Sequence, residues 1–177
     1  EAPLERSRGE LVRDYLASAV TPAAQARAVL EAGPPYRGFS LLLVSRQALV
    51  HVSNRQDAAG EVSAGCHGLS NHLLDTEWPK VKAGRDRLQD LLAAECVEAE
   101  ALFELLADPT TAPGEMPAVA GGDDLRRQLM NHSFIVSPTY GTRSSTVLLV
   151  DCAGGTEFME RRFAPDGAET GTRRFLL

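Results

Sequence analysis

The sequence predicts an α+β fold in which antiparallel sheet and helices occupy separate layers. Two observations predict it. Helical patterns fill residues 7–30 and 79–106 while strand patterns fill 39–69 and 134–163, so helices and strands come in blocks rather than alternating one by one. The gaps inside the strand blocks are also short, of the length that joins antiparallel neighbours and not parallel ones. With 177 residues, 44% hydrophobic and 24% charged, the chain reads as a single globular domain over residues 1–177.

The elements follow in order. Ser7-Arg8-Gly9-Glu10 is a capping-box pattern, with a hydroxyl for the first free amides and a glutamate three residues on. It opens a helix whose Leu11, Val12, Tyr15 and Leu16 share one stripe. Thr21-Pro22 repeats the signal, with Thr as cap and Pro at the first helical position, and Gly33-Pro34-Pro35 stops this second helix after Leu30. Phe39–Val44 and Leu49–Ser53 read as strands joined across Ser45–Gln47, and their continuous apolar character predicts burial on both faces. After the polar NRQDAAGE, Val62–Leu69 is expected as a third strand. Pro79 starts a helix carrying Val81, Leu88, Leu91 and Leu92, and Ala99–Leu106 forms another. Residues 108–122, rich in Pro, Gly and Thr, read as a surface loop. Phe134–Ser137, Ser145–Asp151 and Glu157–Phe163, with Arg173–Leu177 as a last strand, complete the order.

Composition excludes several classes. A net charge of −6, from 18 basic and 24 acidic residues with no basic run, leaves no footprint for nucleic acid. No apolar run approaches the roughly 18 residues of a membrane-spanning helix, so no transmembrane segment is expected. Cys66, Cys96 and Cys152 are odd in number and lack CxxC or CxxH spacing, so neither a disulfide framework nor a zinc site is suggested, and a reducing compartment fits. Glu1 is not a methionine and EAPLERSRGE lacks a signal-peptide pattern, so the chain reads as beginning in the middle of something.

Two segments carry candidate chemistry. In GCHGLSNHLLDTEWPKV, residues 65–81, Cys66-His67 suggests a nucleophile and base, but strand neighbours point to opposite faces. His67 and His72 with Asp75 or Glu77 are of metal-ligating type; the alternative is ordinary hydrogen-bonded loop histidines. Gly68, Ser70 and Asn71 combine close backbone approach, a hydroxyl and a carboxamide, which suits an oxyanion or ligand carbonyl and equally suits an Asx turn. Trp78-Pro79 reads as a packing corner. In SPTYGTRSSTVLLVD, residues 137–151, a Pro138–Gly141 turn leads to Arg143 at a strand entrance, where a guanidinium can grip a carboxylate or phosphate. His51, on a strand, and His132, in a turn, read as structural or solvated.

SRGELVRDYL (7–16), YRGFSLLLV with HVSNR (36–44 and 51–55), GCHGLSNHLLDTEWPKV and FIVSPTYGTRSSTVLLVD (134–151), extended by FMERRF (158–163), resemble in order and spacing the NRDE family, also called the transport and Golgi organisation 2 family. The resemblance covers nearly the whole chain. It implies an αββα sandwich similar to N-terminal nucleophile hydrolases, with antiparallel sheets between helical layers, in which an amino-terminal cysteine attacks an amide-type carbonyl. By motif position it makes Asn71 an oxyanion candidate and Arg143 a support for nucleophile or substrate. Gly68, Ser70, Tyr140 and Ser144, in the same motifs, accompany them as ligand-binding candidates.

Family members carry a Met-Cys strand and the naming Asn-Arg-Asp-Glu quartet upstream of the SRGELV helix. By this resemblance residues 1–177 are expected to be the C-terminal major part of such a domain, without its first strands and nucleophile, and no turnover is expected of them. Asn54-Arg55-Gln56-Asp57 resembles the quartet only in letters, and no cysteine here stands at the nucleophile position. Members are implicated in moving haem to cytosolic acceptors, in lipid and coenzyme A homeostasis and in secretory organisation. The implied function is cytoplasmic binding or trafficking of haem or an acyl/CoA-type metabolite, with haem as cargo and no covalently bound cofactor or metal, and with transient membrane contact. The rival is an N-terminal-cysteine hydrolase of amide or thioester bonds in a longer form. His67 and His72 are of the type that ligates haem iron, but no spacing argues for either.

Overall fold

The computed structural model describes residues 6–32, 36–94, 97–110 and 131–177. Among the described residues it is α+β, with four helices and two antiparallel three-stranded sheets. The chain divides into two compact units, Glu1–Thr76 and Glu77–Leu177, each with its own sheet. Among the described residues no helix is long and apolar enough to cross a membrane.

The first unit holds α1 (Gly9–Leu16), α2 (Pro22–Glu31), β1 (Ser40–Val44), β2 (Leu49–Ser53) and β3 (Ala58–Glu61). The α1 capping box forms with a one-residue shift: Glu10 reaches back to the Ser7 amide at 3.2 Å, while Ser7 Oγ accepts from the Gly9 amide at 3.3 Å. For α2 the reading holds, with Thr21 Oγ1 accepting from the Ala24 amide at 3.3 Å and Pro22 at the first position. Gly33–Pro35, read as its stop, lie outside the described residues.

The sheet is a meander in the order β1-β2-β3, running from Ser40↔Ser53 to Val44↔Leu49 and from Val50↔Glu61 to Ser53↔Ala58. Leu43, Val50 and Val52 face Leu11 of α1 and Ala26 and Val29 of α2, with Phe39 completing the core. Burial on both faces holds for the central strand β2, whose Val50, His51, Val52 and Ser53 are all buried. It fails for β1, an edge strand, where Leu43 is 1% exposed but Leu42 is 42% and Val44 57% exposed.

Val62–Leu69 is not a strand. The third strand comes earlier, at Ala58–Glu61, because the Asn54–Asp57 turn, with Asp57 at φ +47°, folds the chain straight back onto β2. The ladder ends with the Val62 amide on the Leu49 carbonyl at 2.8 Å, after which the loop bonds to itself.

The second unit holds α3 (Pro79–Leu92), α4 (Ala99–Leu106), β4 (Ser144–Val150), β5 (Thr156–Phe163) and β6 (Glu169–Leu176), with sheet order β4-β5-β6. Both helices lie where their patterns place them. Buried Trp78 precedes Pro79, as a packing corner should. Phe103 of α4 packs on Val147 and Met159, and Arg161 lies 4.2 Å over the Phe103 ring while binding Glu100 through two nitrogens at 2.9 and 2.6 Å.

Phe134–Ser137 is not a strand either. Pro138 and the Ser137–Tyr140 turn bring the chain back at once, leaving one bridge, Val136↔Gly141, and a 2.8 Å bond from the Thr142 amide to the Ile135 carbonyl. A Cβ on Gly141 would stand 2.9 Å from that carbonyl oxygen, so the close return needs glycine. Of the expected 108–122 loop, residues 111–122 lie outside the described residues, as does Cys96.

The one-sided core predicts unequal losses along β1. Leu43→Ala should lower stability by about 2–5 kcal/mol, while Leu42→Ala, with its side chain already half in water, should cost far less. Chemical denaturation of the two variants checks this; equal losses would contradict the packing.

Candidate functional site

A cavity of about 320 Å³ opens within the first unit, a volume in the range of small-molecule sites. Three stretches and the β2–β3 turn wall it. The start of α1 gives Arg8, Leu11 and Val12; the lead-in to β1 gives Gly38, Phe39, Ser40 and Leu41; the turn gives Arg55. The loop after β3 supplies Leu69, Ser70, Asn71 and His72. The lining is apolar on one part and hydrogen-bonding on another, with two arginines and no carboxylate.

Side chains from the end of β2 fix the lead-in to β1. Asn54 Oδ1 accepts from the Phe39 amide at 2.8 Å, and Ser53 Oγ donates to the Phe39 carbonyl at 2.7 Å. Ser40 Oγ lies 3.2 Å from the His72 carbonyl and 3.3 Å from Ser53 Oγ, tying the loop to the sheet.

The loop is held by Asp75, which adopts φ +57°, a conformation Asp tolerates. Asp75 Oδ1 accepts from the Gly68 amide at 2.8 Å, the Asp75 amide donates to the Gly68 carbonyl at 2.8 Å, and Oδ2 lies 2.6 Å from His67 Nδ1. His67 Nε2 is 3.0 Å from the Ser63 carbonyl. Both ring nitrogens face acceptors, so each contact is a hydrogen bond when its nitrogen carries a proton. Thr76 Oγ1 donates to the Leu73 carbonyl and therefore accepts from His72 Nδ1, at 3.0 Å.

This geometry places each candidate. Ser70 and Asn71 line the cavity, and their side chains make no hydrogen bond with any described residue, so both are open to a ligand. Asn71 is not an Asx cap; Asp75 holds the loop instead. The Gly68 amide is occupied by Asp75 and lies beside the lining rather than in it. His67 is engaged at both nitrogens rather than presented to Cys66. Glu77 pairs with Arg85 at 2.9 Å, and among the described residues no group of three His, Cys, Asp or Glu side chains is arranged to hold a metal. Cys66 and Cys152 are free thiols.

Tyr140, Arg143 and Ser144 belong to the second unit, at the start of β4. Tyr140 is 65% exposed, and its backbone is held by Ser137 Oγ. The Arg143 carbonyl accepts from the Phe163 amide at 2.9 Å, which anchors its backbone to β5. Its guanidinium is exposed and without an ion-pair partner among the described residues.

The family model described as Transport and Golgi organisation 2 matches residues 1–165. The chain belongs to that family. It is 32% identical over 189 residues to the Transport and Golgi organization protein 2 homolog of Bos taurus, covering 97% of this chain and 68% of the relative. The Homo sapiens homolog is 29% identical over 189 residues, with 97% and 68% covered, and the Mus musculus homolog 28% identical over 194 residues, with 100% and 70% covered.

Within this family member, sequence reasoning missed Arg8, Ser40 and Arg55. Arg8 sits inside the capping box and read only as part of a helix start. Arg55 lies in the quartet look-alike, and its place just after a strand end is the signal that points to it. His51, expected to be structural, is 7% exposed on β2, and its Nε2 lacks a hydrogen-bond partner among the described residues.

Burial pushes the His51 pKa below the ordinary histidine value, with the Asp75 charge opposing. The unfolded chain therefore takes up this proton at higher pH than the folded one, so stability falls as pH drops through the ordinary histidine range. His51→Leu should flatten the stability profile between about pH 7.5 and 5.5. Thermal melts across that range check it, and an unchanged slope would assign the acid sensitivity elsewhere.

Proposed function

We propose that this protein binds and carries an amphipathic small molecule, haem or an acyl/CoA-type metabolite, in the cytoplasm, with transient contact with membranes. The observation that carries the reading is the cavity of the first unit: about 320 Å³, with Leu11, Val12, Phe39, Leu41 and Leu69 for an apolar body and unpaired Ser70 and Asn71 for polar groups. The relatives' names, which speak of transport and Golgi organisation, agree with a carrier role. Haem is cargo in this reading, and Tyr140, Arg143 and Ser144 form a second candidate ligand-binding edge.

For the architecture we propose a single domain forming an αββα sandwich similar to N-terminal nucleophile hydrolases. The two antiparallel three-stranded sheets and four helices among the described residues support this reading. A second functional reading follows from it, an N-terminal-cysteine hydrolase of amide or thioester bonds in a form that carries the nucleophile. The unpaired Asn71 carboxamide supports it, being a donor of the kind an oxyanion hole uses.

Titration with haem, followed by absorbance, and with palmitoyl-CoA, followed by calorimetry, is expected to give saturable binding to at least one. Val12→Trp, which fills the cavity from α1, should weaken it by about tenfold or more. No saturable response to either ligand refutes the carrier reading. Cysteine-dependent turnover of an amide or thioester panel would favour the hydrolase, and binding without turnover the carrier.

A further inference from the structure

Two arginines converge on the backbone of Gly38. Arg8, in the turn that opens α1, donates from Nη1 to the Gly38 carbonyl at 3.4 Å. Arg55, in the β2–β3 turn, holds its guanidinium against the open side of the same residue. A Cβ there would stand 3.0 Å from Cζ, 3.1 Å from Nη2 and 3.3 Å from Nε of Arg55. A methyl at position 38 would make the guanidinium give by a few tenths of an ångström, so the bare glycine lets it rest in close contact there.

Acidic residues outnumber basic ones 24 to 18, and Arg6, Arg13, Arg85, Arg87, Arg161 and Arg174 are each paired with a carboxylate, whereas Arg55, like Arg143, is not. The Arg55 side chain makes no hydrogen bond or ion pair with any described residue, and no Asp or Glu lines the cavity it faces. The cavity is thus a basic recess on an acidic protein. A planar guanidinium without an internal partner is suited to a two-pronged grip on a carboxylate or phosphate.

We propose that Arg55, with Arg8 beside it, is the anion clamp of this cavity, binding a carboxylate or phosphate borne on an apolar body, and that Gly38 sets the clamp's position. The clamp rests on the carrier reading and specifies it. The anion is the ligand's recognised end, Phe39 and Leu69 receive the apolar end, and Asn71 hydrogen-bonds between them. Haem propionates and fatty acids offer carboxylates, and coenzyme A esters offer phosphates.

Calorimetry with three probes of equal chain length, decanoate, decyl phosphate and decanol, tests the clamp. At least one anion should bind about tenfold to a hundredfold more tightly than the neutral alcohol, the margin of a charged hydrogen bond, and which anion gains more distinguishes the two sources. Arg55→Ala should bring that anion to the level of decanol and abolish its sensitivity to salt. Arg55→Lys, which keeps the charge but not the fork, should restore binding only in part. Gly38→Ala should weaken the anion by displacing the guanidinium while leaving decanol unchanged, with circular dichroism confirming that each variant is folded. Equal affinity for all three probes, or an anion preference indifferent to Arg55→Ala and Gly38→Ala, overturns the clamp and leaves the carrier reading standing. Failure of all three to bind overturns the clamp, and the carrier reading then stands or falls by the haem and palmitoyl-CoA titrations.

Discussion

The backbone of Phe39 is the point on which the first unit turns. Both of its polar groups are satisfied by side chains from the end of β2: Asn54 takes the amide and Ser53 the carbonyl. A residue just outside a strand cannot rely on the ladder for these bonds, and leaving them unmade in a buried position would cost about 1–3 kcal/mol each. With them made, Phe39 drops into the core beside Leu43 and Val52. Its neighbours Gly38 and Ser40 are then held at the cavity, one under the two arginines and the other against the His72 carbonyl. Core and site are therefore fixed by the same few bonds.

The opposite wall is organised differently. Between Ser63 and Thr76 the chain forms no regular element, and its polar groups are met within the loop, chiefly by Asp75 and His67. Charged partners make those bonds stronger than neutral ones. Such a loop can leave Ser70 and Asn71 unbonded because its shape does not depend on them. The second unit uses charge for another purpose: Arg161 covers Phe103 and holds Glu100, fastening α4 to β5.

Much of this was legible in sequence where the signal was local. Thr21-Pro22 and Trp78-Pro79 located two helix starts, and the strand patterns of Ser145–Asp151 and Glu157–Phe163 located β4 and β5. β3 was not legible, because Ala58-Ala59-Gly60-Glu61 has little strand propensity and pairs only because the preceding turn delivers it to β2. The more apolar Val62–Leu69 looked better by composition and forms a loop. The site divided in the same way. Ser70 and Asn71 stood out because a glycine and two small polar residues lie together. Arg8 and Arg55 did not, because what brings them together is Gly38, distant from one by 30 positions and from the other by a strand pair.

The two walls of the cavity also differ in how readily they yield. One is helix and sheet, packed into the core; the other is a loop closed on itself and tied to the sheet through Ser40. Local opening of such a loop requires far less free energy than disruption of the sheet behind it. In the proposed carrier, a guest would therefore have a way in and out that leaves the fold intact; its residence time would follow the fastening of the loop, and its affinity largely the rigid side. A carrier must both hold and release, and this division allows the dwell time to change without rebuilding the recognition surface.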